Sequence, residues 1–74
     1  MTAETRVVHS NPEILGGIPV FVGTRVPVDS LFDHLEGGDT LDEFLRQFPS
    51  VQRNQALTAL ELARDSLLDR ARSA

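Results

Sequence analysis

The imidazoles of this chain are His9 and His34; cysteine, tyrosine, tryptophan and lysine are absent, and all seven basic residues are arginine. The other groups available for chemistry are therefore hydroxyls, carboxylates and guanidinium groups. His34 follows Asp33, but adjacent positions on a helix do not face one another. The two histidines are far apart in sequence and no Ser/His/Asp spacing assembles a nucleophile with its base. With no cysteine there is no thiolate nucleophile, no disulfide and no Cys/His zinc pattern. The residue types thus point away from an enzyme, a metal centre or a cofactor site, and towards work done by surfaces. His9 and His34 are expected to be surface histidines.

Two groups of residues could read a partner. Arg25 follows a Gly-Thr step in the stretch GGIPVFVGTRVPV. It could reach a phosphate or carboxylate, or act as a fork donating to backbone carbonyls within the fold. Gln52, Arg53, Asn54, Gln55 and Thr58 open the longest helical segment, and such amides and guanidinium groups can recognise base edges or phosphates. Arg53 falls near the apolar stripe by angle, which weakens its case. Further along, Glu61, Asp65 and Asp69 flank Leu62, with Leu68 and Arg72 nearby. An apolar residue ringed by acidic ones suits a partner with a basic cleft.

These groups must be held by a small scaffold. The 74 residues carry a net charge of −4. That balance opposes sequence-independent nucleic-acid binding, which depends on neutralising phosphates. A chain of this size buries only about 60 % of its surface, so its core is thin. With no cysteine to cross-link it, association with another chain is the remaining source of stability, and a homodimer is expected. No apolar run approaches the ~20 residues of a membrane span. The start, MTAETRVVHS, lacks the basic and apolar blocks of a signal peptide, so a cytoplasmic location is expected.

Residues 1–5 carry no pattern and are expected to be disordered, with a single domain over 6–74. Residues 6–10 could supply a short strand, ended by Asn11-Pro12. Residues 12–15 could form one helical turn closed by Gly16-Gly17. The near-mirror sequence about Gly23-Thr24 predicts a hairpin with Gly23 at the first central position of a type II′ turn. That register sets Val22 against Arg25, Val20 against Pro27 and Pro19 against Val28. An isolated hairpin is marginal, so it must pack on the helices or gain a further strand.

Three helices follow. Val28, Leu31, Phe32 and Leu35 form one apolar stripe, stopped by Gly37-Gly38. Thr40 and Glu43 form a capping box for a second helix with the stripe Leu41, Phe44, Leu45 and Phe48, ended by Pro49. Ser50 is the expected N-cap of a third helix over 51–72. Ala56, Leu57, Leu60, Ala63, Leu67, Leu68 and Ala71 share one arc of it, while Val51 and Leu62 point elsewhere. At about 1.5 Å per residue this helix is about 33 Å long, more than two nine-residue helices can cover. Its last two turns are therefore expected to meet another chain.

The order Asn-Pro-Glu-Ile-Leu-Gly-Gly-x-Pro-Val, then Gly-Thr-Arg-Val-Pro-Val, then an apolar helix ending in glycine and a helix closed by Phe-Pro resembles the bacterial family called domain of unknown function 433. The likeness extends over about residues 11–63. Gly17, Pro19, Gly23, Thr24, Arg25, Val26 and Val28 match its core motif in order; Ile18 stands where a polar or basic residue is common, and Leu62 where an aromatic is frequent. Members of the family often look like VapB-type antitoxins encoded beside a PIN-like ribonuclease toxin. The resemblance implies a mainly α fold, a short N-terminal β-hairpin before a three-helix, homeodomain-like helix-turn-helix bundle. It also implies an antitoxin that binds and neutralises a cognate ribonuclease toxin and could repress its own operon. The alternative is a helix-turn-helix DNA-binding transcriptional regulator without a toxin partner.

Overall fold

The computed structural model describes residues 7–73. The expected disorder of residues 1–5 lies outside them. The chain is mainly helical: two short antiparallel strands precede three helices. The strands are β1 (Val8–His9) and β2 (Val20–Phe21), and the helices are α1 (Val28–Glu36), α2 (Leu41–Gln47) and α3 (Arg53–Ser73).

β1 pairs with β2, Val8 opposite Phe21 and His9 opposite Val20, and Val22 N–H donates to the Val7 carbonyl at 2.9 Å. On its other side β2 keeps the register read from sequence. Val20 bridges Pro27, Phe21 N–H donates to Val26 O at 3.0 Å, and Val28 N–H donates to Pro19 O at 3.1 Å. The stretch after the turn forms only that bridge and not a strand, since Pro27 offers no N–H to a ladder and the helix begins at the next residue. The second strand of the sheet is instead β1, so the marginal hairpin gains its extra strand from the chain's own N-terminal segment.

The turn itself differs from expectation. Thr24 N–H donates to Phe21 O at 3.0 Å, which makes Gly23 the second central residue, with φ +81. A type II turn requires positive φ at that place, whereas type II′ requires it one residue earlier. The cause is Thr24, which turns inwards and is 8 % exposed. Its Oγ1 donates to Phe21 O at 2.8 Å and accepts from Val26 N–H at 3.0 Å. A side chain thus completes the bonding that a tighter two-residue loop would have given to backbone.

Residues 12–15 do not make a right-handed helical turn. Asn11 closes a turn instead, its Oδ1 accepting from Glu13 N–H at 2.9 Å and its carbonyl from Ile14 N–H at 2.8 Å. Leu15, Gly16 and Gly17 follow at φ 50, 71 and 95. Two glycines accept that left-handed path freely; Leu15 costs about 1 kcal/mol to hold there.

The core comprises Phe21, Leu31, Phe44, Val51, Ala56 and Ala59, and Val20 on β2 is also fully buried, outside that cluster. Phe44 is its centre, 6.4 Å from the Phe21 ring and 5.0 Å from the Phe48 ring. The α1 and α2 stripes face it as expected, except that Phe32 is only half-buried and lies outside the cluster. α2 has the full capping box, Thr40 and Glu43 each accepting from the other's backbone N–H.

Two readings of the third helix are corrected. Ser50 does not cap it; the first helical bonds run to the Gln52 carbonyl from Gln55 and Ala56. Val51, expected to point away, is 4 % exposed and sits in the core. Burying a valine contributes about 1.5–3 kcal/mol against about 1 kcal/mol for a serine cap, so starting the helix two residues later is favoured. The apolar arc read from sequence also splits. Ala56 and the unpredicted Ala59 are buried, Leu60 packs at the edge, and Leu57 and Leu67 are 44 % and 68 % exposed, with Ala63 and Ala71 exposed too.

Candidate functional site

α1 ends in a Schellman arrangement: Gly38, at φ +99, donates to Leu35 O at 3.1 Å, and Asp39 N–H donates to His34 O at 2.9 Å. The side chains of that last pair meet as well, His34 Nδ1 lying 2.7 Å from Asp39 Oδ2. The imidazole stands edge-on to Phe44 and Phe48, at 5.6 and 5.5 Å between centroids. His34 is therefore not a surface histidine but part of the wall of the core, whereas His9 is exposed. This pair braces the α1–α2 corner.

The residues expected to read DNA lie in different settings. Gln52, Arg53 and Asn54 are exposed at the start of α3, and Thr58 is half-buried. The guanidinium of Arg53 pairs with the Asp42 carboxylate on α2, and this hydrogen bond and its charge hold Asp42 below the ordinary aspartate value of 3.8. Both side chains are open to water, so the pair ties α2 to α3 only weakly. Gln55 is half-buried and bonded within the chain: its Nε2 donates to Val22 O at 3.0 Å and its Oε1 accepts from Gln52 N–H at 3.0 Å. That amide joins the start of α3 to the β-turn. Arg25 is exposed and donates to no carbonyl among the described residues, so the internal fork weighed for it is not formed there. It borders an open concavity with His9, Ile14, Thr24, Val26 and Ser50. The motif turn and the α2–α3 connection thus share one face of the molecule.

The second set lies on α3 beyond its last core contact. Glu61, Asp65, Asp69 and Arg72 are exposed, and Leu62 and Leu68 half-buried. Arg72 lies 3.6 Å from Asp69 one turn back. At roughly 100° per residue, Leu62, Asp65, Asp69 and Arg72 share one side of the helix. Glu61 and Leu68 fall on another, with Leu57, Leu60, Arg64, Leu67 and Ala71. Leu57, Leu60, Glu61 and Arg64 enclose a shallow groove there. Arg64 stands in the middle of this arc, a placement that its spacing alone makes legible. Among the described residues no group of three or more His, Asp or Glu side chains could hold a metal ion, and no helix is long and apolar enough to cross a membrane.

The family model described as "Protein of unknown function (DUF433)" matches residues 8–63, from β1 into the third turn of α3. The chain belongs to the DUF433 family. The matched segment contains every core residue named above and stops three residues beyond Leu60, the last α3 residue packed against that core. A similar protein, "Uncharacterized protein y4eO" of Sinorhizobium fredii (strain NBRC 101917 / NGR234), is 39 % identical over 51 residues, which are 69 % of this chain and 23 % of that protein. The DUF433 chain thus spans about a quarter of the length of the curated relative it matches. No solved structure matches it.

Proposed function

We propose that this DUF433 chain is a cytoplasmic VapB-type antitoxin that binds and neutralises a PIN-like ribonuclease toxin, acting as a homodimer. The observation that carries the reading is the half of α3 beyond Leu60. Among the described residues it adds nothing to the core cluster, and it presents Asp65 and Asp69 on the side of Leu62, with Glu61 at the edge of the adjoining side. A carboxylate row around one aliphatic anchor is the complement of a basic, RNA-binding cleft, which it would occlude. Co-expression with the adjacent open reading frame tests this. The two proteins should co-purify, and the chain should relieve the neighbour's toxicity; if it does neither, the reading fails.

A second role, autorepression of the operon through DNA, is favoured by one observation. Arg25, Ser50 and the exposed Gln52 and Asn54 are on or beside the turn that joins α2 to α3, where a helix-turn-helix meets DNA. An electrophoretic shift on the chain's own promoter should weaken in Gln52→Ala and Asn54→Ala. Unaltered affinity in both removes this role.

A further inference from the structure

The toxin reading uses the Leu62, Asp65 and Asp69 side of α3 and leaves the other exposed side without a task. Leu57, Leu60, Leu67, Leu68 and Ala71 fall there within about 100° of arc around Arg64. Leu57 and Leu67 are among the most exposed large apolar side chains in the molecule. Glu61 and Arg64 flank the groove between Leu57 and Leu60. We infer that this groove is a self-association surface, on which a second copy of the chain lays its α3 antiparallel, with the two-fold axis passing between Glu61 and Arg64.

Charge selects the occupant. On the Leu62 side, Asp65 and Asp69 outnumber Arg72, which lies 3.6 Å from Asp69, so that side stays net negative and fits a basic partner. The groove carries one carboxylate and one guanidinium less than a turn apart, which fits a surface of the same mixed pattern. An isologous contact supplies that pattern by symmetry, since each residue meets its counterpart twice. With the axis between positions 61 and 64, Glu61 lies beside the second copy's Arg64, and Arg64 beside its Glu61. The same placement brings Leu57 against the second copy's Leu67 and Leu68, and each leucine loses its exposure. Sliding the axis onto Arg64 would set two guanidinium groups against each other, so charge fixes the register as well as the partner. Within the chain the nearest carboxylate to Arg64 is that of Asp65, at 3.5 Å with both side chains mostly exposed, too weak a pair to compete.

This deepens the homodimer of the proposed antitoxin, and it is measured on the isolated chain, so it can fail while toxin binding stands. Sedimentation equilibrium over a concentration series gives the dimer dissociation constant of the wild type, Glu61→Arg, Arg64→Glu and the double charge exchange, with far-UV circular dichroism confirming equal helix content. The wild type should reach twice the 8.1 kDa chain mass. Each single change should raise the dissociation constant at least tenfold, and the double exchange should return it to within about threefold. A monomeric wild type overturns the inference. So do single variants that dimerise normally, a double variant as weak as the singles, or loss of toxin capture in Glu61→Arg without any change in self-association.

Discussion

His34 and Asp39 are joined twice. The Asp39 N–H donates to the His34 carbonyl at 2.9 Å, and the two side chains meet at 2.7 Å. A Schellman helix end usually pairs these two positions through an apolar contact. Here an imidazole–carboxylate bond takes that place, and the imidazole's other surface packs on Phe44 and Phe48. The corner between α1 and α2 is thereby tied to the centre of the core.

Asp39→Ala should lower unfolding free energy by about 1 kcal/mol, the worth of one partly exposed hydrogen bond. His34→Ala should cost about 2 kcal/mol, because it also removes the aromatic edges. Urea midpoints at neutral pH measure both, and equal losses would show that the rings contribute nothing.

Thr24→Val keeps the shape of the buried side chain but leaves Val26 N–H without its acceptor. The expected loss is about 1–3 kcal/mol. Gly23→Ala should cost about 1 kcal/mol, entirely from backbone at φ +81, because an added Cβ there meets no atom within 4 Å. A larger loss for the glycine change would mean that something closes over the turn.

Gln55→Ala should cost about 1 kcal/mol of stability by freeing the Val22 carbonyl and the Gln52 N–H. Gln52→Ala, with an exposed side chain, should be neutral within about 0.5 kcal/mol. Any loss of DNA affinity in Gln55→Ala should therefore track its denaturation midpoint, and recovery on lowering the temperature would confirm a structural cause.

The Asp42–Arg53 pair has a defined pH signature. The folded-state pKa of Asp42 is lowered by Arg53, so its contribution is present above the unfolded value near 3.8 and is lost as pH falls through the lowered folded value. Asp42→Asn should reduce stability slightly at neutral pH, and the difference from wild type should shrink as pH falls below 3.8 and vanish once pH is below the lowered folded value. A gap that persists there would assign the effect to something other than charge.

What sequence made legible was local. The Thr40/Glu43 box, the Gly37-Gly38 stop and the α1 and α2 stripes each depend on residues within one or two turns, and the Val20–Pro27 register on a short near-mirror repeat. Val51 and Ala59 were not legible, because their burial depends on where α3 meets Phe44 and Phe21. The same holds for Gln55, whose amide bonds to Val22, 33 positions away. For α3, periodicity gave one apolar arc, but only packing separated its buried Ala56 and core-edge Leu60 from its exposed Leu57, Ala63, Leu67 and Ala71.

Neutralisation of the neighbouring ribonuclease by a full-length Leu62→Ser, Asp65→Asn, Asp69→Asn variant tests most directly whether the outer part of α3 acts on a partner rather than on the fold. Wild type should restore growth on co-expression, while the triple variant, with an unfolding free energy within about 1 kcal/mol of wild type, should fail to. Equal rescue by both chains, or by neither, would contradict it.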